Sequence, residues 1–126
     1  MLKVYCDASF HPETGRAGIA VVVYRDEIPV YLMTDEIEAH NPSDAECIAL
    51  RRGTEEIRAY YPDEPYVLYT DCKTVADKIR EETALKIEWI PRDKNMVADA
   101  LADCAHHFSV TCGQNVLNKL CKGEER

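Results

Sequence analysis

Four carboxylates spread along the chain could do chemistry together: Asp7, Glu46, Asp71 and Asp99. Carboxylate oxygens are the ligands that Mg2+ and Mn2+ prefer. Three or four of them, converging from different elements, can hold two such ions, activate a water and stabilise the leaving oxygen of a phosphodiester. Taken singly, they carry unequal weight. Asp7 interrupts an extended run, residues 2–9, where aspartate is disfavoured and a buried unpaired carboxylate is costly. Glu46 ends the segment Ser43-Asp44-Ala45-Glu46, which reads as a capping box at a helix start. Asp71 follows the apolar run Tyr66–Thr70. It suits equally an N-cap and the ligand-binding carboxyl end of a parallel strand. Asp99 lies in the first turns of a helix that Asn95 is expected to cap, where a negative charge suits the helix dipole. Asp103, one turn on, reads as a solvated aspartate. Each of the last three ligand candidates has an adequate structural explanation; the set of four does not.

The elements that must position these residues are legible in the apolar periodicity. Leu2, Val4 and Cys6 point one way and Lys3, Tyr5, Asp7 and Ser9 the other, which predicts a strand over residues 2–9. Residues 18–24 predict a second strand, and Asp26-Glu27 turns the chain into a third near Val30–Thr34. Ala45, Ala49, Leu50 and Ile57 predict a helix from Ser43 to about Ala59. Tyr66–Thr70 predicts a buried parallel strand, and residues 73–82 a second helix with Val75, Ala76 and Ile79 inward. Leu85, Ile87 and Trp89 predict a fifth strand that Pro91 stops. Asn95 to about Phe108 predicts a third helix, with Ala98, Leu101, Ala102 and Ala105 on one face. A short helix, Gln114–Cys121, is expected in the tail. A meander followed by alternating helix and strand predicts an α/β fold. Its sheet is five-stranded and mixed, three antiparallel strands then parallel ones, flanked by helices. Residues 1–126 are expected to form one domain, with 109–126 as a C-terminal extension.

Composition bounds the function. A chain of 126 residues, 46% hydrophobic and 30% charged, suits one packed core and excludes a disordered chain. No apolar run approaches the roughly 20 residues that span a bilayer, and the N-terminus lacks a signal-peptide layout. A cytoplasmic protein with no membrane partner is expected. The six cysteines show no C-x-x-C or zinc-ligand spacing and are expected as free thiols. Cys6, Cys47 and Cys72 adjoin Asp7, Glu46 and Asp71; their expected role is core packing. The net charge of −8 opposes tight binding of a polyanion through Lys and Arg.

Four segments, in order, resemble the motifs of the ribonuclease H family. Val4-Tyr5-Cys6-Asp7-Ala8-Ser9 is similar to the first, a strand carrying Asp before small residues. Ser43-Asp44-Ala45-Glu46-Cys47-Ile48-Ala49-Leu50 is similar to the second, where Glu opens a long helix. Leu68-Tyr69-Thr70-Asp71-Cys72 resembles the third, and Pro91-Arg92-Asp93-Lys94-Asn95-Met96-Val97-Ala98-Asp99-Ala100-Leu101-Ala102 the fourth. The fourth has the form common among the shorter bacterial, archaeal and plant relatives that lack a basic protrusion. The resemblance implies a ribonuclease H-like fold and an endoribonuclease that cuts the RNA strand of RNA/DNA hybrids with two Mg2+ or Mn2+ ions. It implies Asp7, Glu46, Asp71 and Asp99 as catalytic metal ligands, with Asp7 bridging and Glu46 near the ribose 2′-hydroxyl. Ala8, Ser43, Lys73, Arg92 and Asn95 are the expected substrate contacts, and a monomer is expected.

The departures from the family pattern are also specific. Well-studied members carry a mobile His before the last Asp; here Arg92 occupies that loop, and no His lies between His40 and His106. Ala8 replaces a usual Gly, and Lys73 stands where Gln is common. Only 27 residues separate Asp71 from Asp99, too few for a basic helical protrusion. These features imply weak substrate binding and slow turnover. The competing readings are a catalytically weak or inactive nucleic-acid-binding module on the same fold, and a 3′–5′ exonuclease. Four retained carboxylates favour hydrolysis over binding alone. The segment Asp7-Ala8-Ser9, in place of D-x-E, argues against the exonuclease.

Overall fold

A computed structural model describes residues 1–105 and the backbone of 111–112. The chain opens with three long strands, β1 (Leu2–His11), β2 (Arg16–Arg25) and β3 (Ile28–Glu38). There follow α1 (Pro42–Tyr60), β4 (Tyr66–Thr70), α2 (Lys73–Glu82), β5 (Ile87–Trp89), a 3-10 turn over Arg92–Lys94, and α3 (Met96–Cys104). Thr111–Cys112 form β6. Among the described residues the sheet order is β5-β4-β1-β2-β3-β6. β1, β2 and β3 pair antiparallel, and β4 and β5 join parallel to β1. This is the expected five-stranded mixed sheet. A two-residue sixth strand pairs antiparallel with Leu32 and Met33 at the β3 edge.

The sheet is covered on both faces, which explains why β2 is apolar on both sides. On one face Leu2, Val4, Cys6, Ile19, Val21 and Leu68 pack against Ala49, Leu50 and Ile57 of α1 and Val75 and Ala76 of α2. On the other, Ala20 and Val22 pack against Ala98 and Ala102 of α3. Two glycines permit these approaches. A Cβ at Gly18 would stand 2.1 Å from the Ala102 carbonyl oxygen, and one at Gly53 2.7 Å from Cys6 Sγ. The β2–β3 hairpin turns at Asp26-Glu27 as expected, with φ of 51° and 66°. These are the left-handed values that match the twist of the flanking strands.

Three local expectations are corrected. The N-cap of α1 is Asn41, whose Oδ1 accepts from the Asp44 N–H at 2.8 Å, with Pro42 opening the helix. Ser43 therefore lies inside the first turn, and Ser43–Glu46 is not a capping box. Cys72, not Asp71, occupies the N-cap position of α2, and no side chain bonds there. Asn95 does hold the N-cap position of α3, but its side chain makes no cap bond and turns inward instead. Strands β1, β2 and β3 also run longer than the apolar pattern indicated, because hairpin pairing continues into polar residues. The expected continuation of α3 to Phe108 and the helix Gln114–Cys121 lie outside the described residues.

Candidate metal centre

The carboxylates meet at the carboxyl ends of the parallel strands. β1 is central, between β4 and β2, and Asp7 on it is 3% exposed. Asp71 immediately follows β4, the parallel neighbour of β1. Glu46 lies in the second turn of α1, which packs across β1 and buries Ala45 and Ala49. One oxygen from each of Asp7, Glu46 and Asp71 falls within 4.8 Å of the others. Asp99, in the first turn of α3, lies outside that group but close enough to help raise the Asp7 carboxyl. The two helices approach from opposite faces of the sheet.

The electrostatics follow from crowding. Burial pushes the Asp7 carboxyl well above the usual carboxylate range, and the charges of Glu46 and Asp71 push it further. Burial also raises Glu46, against a partly offsetting hydrogen bond with Asp7. Asp7 Oδ2 and Glu46 Oε2 are buried and lack a hydrogen-bond partner among the described residues. Buried carboxylate oxygens are normally satisfied, so a cluster of them without cationic partners is a strong pull for a proton or a metal ion. Among the described residues, Arg92 Nη2 stands 4.0 Å from Asp99 Oδ1, with the Arg92 side chain 83% exposed.

The corrected caps change how the cluster is read. Glu46 and Asp71 are relieved of the capping roles that could have explained them, and both instead face Asp7. Of the expected substrate contacts, Ser43, Lys73 and Arg92 are exposed and Ala8 is half-buried. Asn95 is 2% exposed, with Nδ2 donating to the Cys6 carbonyl at 3.0 Å and reaching Asp71 Oδ2 at 3.5 Å. One residue of the site had gone unassigned, and the cap of α1 had been misplaced. Trp89, the only tryptophan, donates its indole Nε1–H to the Asp71 carbonyl at 3.1 Å. Asn41 starts the helix that carries Glu46; Asn before Pro, an N-cap before an N1 proline, was the available signal. Asp103 is exposed, as expected. Cys6, Cys47, Cys72 and Cys104 are free thiols, and Cys6 is wholly buried against Gly53.

No family model and no curated protein matches the sequence. Solved structures do match the fold. The ribonuclease H1 of the halophilic archaeon Halobacterium salinarum NRC-1 superposes with a TM-score of 0.75 at 21% identity, over 83% of this chain and 96% of that one. LC11-RNase H1, in complex with an RNA/DNA hybrid, gives 0.72 at 19% identity, over 83% and 96%. The N-terminal RNase H domain of Rv2228c from Mycobacterium tuberculosis gives 0.71 at 19% identity, over 82% and 97%. In strand order, helix placement and this likeness, the protein is ribonuclease H-like in fold.

Proposed function

We propose that the protein is a divalent-metal-dependent endoribonuclease that hydrolyses the RNA strand of RNA/DNA hybrids. The observation that carries this reading is the convergence of Asp7, Glu46 and Asp71 on a fold whose solved examples include one bound to that substrate. The donor set fits Mg2+ or Mn2+: every ligand atom is a carboxylate oxygen, and two of those oxygens are buried without a partner among the described residues. Asp7, Glu46, Asp71 and Asp99 are the residues proposed to hold two such ions. Such ions supply charge neutralisation at the scissile phosphate and activation of a water for in-line attack.

The chain's own work is to hold four negative groups together until that charge is offset. Glu46 is proposed to accept a hydrogen bond from the ribose 2′-hydroxyl, the group that separates RNA from DNA. Ala8, Ser43, Lys73 and Arg92 are the proposed substrate contacts, and the products carry a 3′-hydroxyl and a 5′-phosphate. With so few basic groups near the centre, binding is proposed to be weak. A single-domain cytoplasmic monomer completes the proposal.

The test is cleavage of labelled RNA/DNA hybrid, duplex RNA and duplex DNA with Mg2+ or Mn2+, beside Asp7→Asn. Cleavage of the hybrid alone, lost in Asp7→Asn and in EDTA, is the expected result. Hybrid cleavage that survives Asp7→Asn sinks the mechanism. No cleavage of any substrate leaves a ribonuclease H-like nucleic-acid-binding module in its place.

A further inference from the structure

One buried asparagine touches three of the elements that carry the carboxylates. Asn95 is 2% exposed, and its Nδ2 donates to the backbone carbonyl of Cys6, the residue before Asp7, at 3.0 Å. The same nitrogen faces Asp71 Oδ2 at 3.5 Å, a long contact. Its own backbone carbonyl accepts the Asp99 N–H at 3.0 Å. The amide orientation is dictated by chemistry: the Cys6 carbonyl and the Asp71 carboxylate both accept, so the NH2 group must face them. That leaves Asn95 Oδ1 buried with no partner among the described residues. The side chain forgoes the helix-capping bond usual at its position, and an acceptor stays unsatisfied, to make these two contacts.

We infer that Asn95 is a positioning residue for the metal centre, fixing β1, the end of β4 and the start of α3 in one register, and is not a substrate contact. A donor that holds a ligating carboxylate in orientation acts on metal affinity through that ligand. The inference rests on the proposed metal-dependent function, and it reassigns a residue that the sequence pattern had placed at the substrate.

The test compares wild type, Asn95→Ala and Asn95→Ser for Mn2+ binding by calorimetry, with Trp89 fluorescence as a second readout. Trp89 suits this because it bonds to the backbone of Asp71 and is the only tryptophan. Asn95→Ser keeps one donor and disturbs the fold least, so it carries the test should Asn95→Ala not fold. The expected result is a Mn2+ dissociation constant raised on the order of 10–100-fold in Asn95→Ala and less in Asn95→Ser. At saturating Mn2+ the KM for hybrid should be unchanged. A raised KM with unchanged Mn2+ affinity makes Asn95 a substrate contact and overturns the inference. A lowered melting temperature with unchanged Mn2+ affinity makes it merely structural, with the same consequence. Wild type that binds no Mn2+ overturns the proposed function as well, so the two failures are distinguishable.

Discussion

Asp7 is under opposing demands. Burial and the neighbouring charges of Glu46 and Asp71 make its ionised form costly, and the same crowding makes the cluster attractive to a cation. Linkage turns this into a pH dependence. The folded-state values of Asp7 and Glu46 are raised above their unfolded values, so the fold favours their protonated forms. Their contribution to stability is full below the ordinary carboxylate range near pH 4 and fades as pH rises through the raised values. Urea melts of the cation-free protein at about pH 5, 7 and 9 should therefore show falling stability. Asp7→Asn should be more stable than wild type at neutral pH, on the order of 1–2 kcal/mol, with a flatter profile. Millimolar Mg2+ should restore wild type at the higher pH and leave Asp7→Asn unmoved. A wild-type profile that rises over this range would show that the cluster is not strained.

The elements hold these residues by close packing. α3 lies against the sheet because Gly18 has no side chain: an added Cβ would meet the Ala102 carbonyl at 2.1 Å and the Ala105 Cβ at 3.0 Å. Gly18→Ala must push α3 away, costing about 1–3 kcal/mol or more. Because α3 carries Asp99, cleavage should fall beyond what the lost stability explains when assayed well below the melting temperature. Unchanged turnover would mean that α3 tolerates displacement. The elements were the most legible level in the sequence. β4 and α2 fall where the pattern placed them, since both are short, strongly patterned and bounded by Pro65, Asp71 and Thr83. The helix starts were not. Ser43 looked like a cap by type, yet Asn41 and Pro42 supply a better start two residues earlier. A cap is decided by which side chain reaches the free N–H groups, and residue type alone does not report that.

At the scale of the whole molecule, the net charge of −8 sets the terms of any nucleic-acid encounter. Several of its cations are already engaged: Arg16 with Glu36, Arg25 with Glu64, Arg52 with Asp35 and Arg80 with Asp77. Counterion release scales with the phosphates contacted by basic groups, so the salt dependence of binding should be shallow. Anisotropy of labelled hybrid with Asp7→Asn should show affinity falling about tenfold between roughly 50 and 200 mM KCl, the response of two phosphate contacts. A fall of a thousandfold or more would require six or more contacts and reveal a basic docking face that Ser43, Lys73 and Arg92 alone cannot provide.

The sequence by itself determined the alternation of strands and helices, the mixed sheet that follows from it, and four carboxylates in motif order. Periodicity and residue type are local properties, and local properties survive in a string. Tertiary structure decided what those residues face. It drew Asp7, Glu46 and Asp71 within 4.8 Å and kept Asp99 outside that group. It moved the cap of α1 off Ser43, which left Glu46 without its bland explanation. It also buried Asn95 and turned its Nδ2 from the helix start toward the Cys6 carbonyl and Asp71 Oδ2, on residues 89 and 24 positions away. The physical reason is that a hydrogen-bond partner is chosen in space, by which acceptor lies within about 3 Å when the sheet and helices have closed.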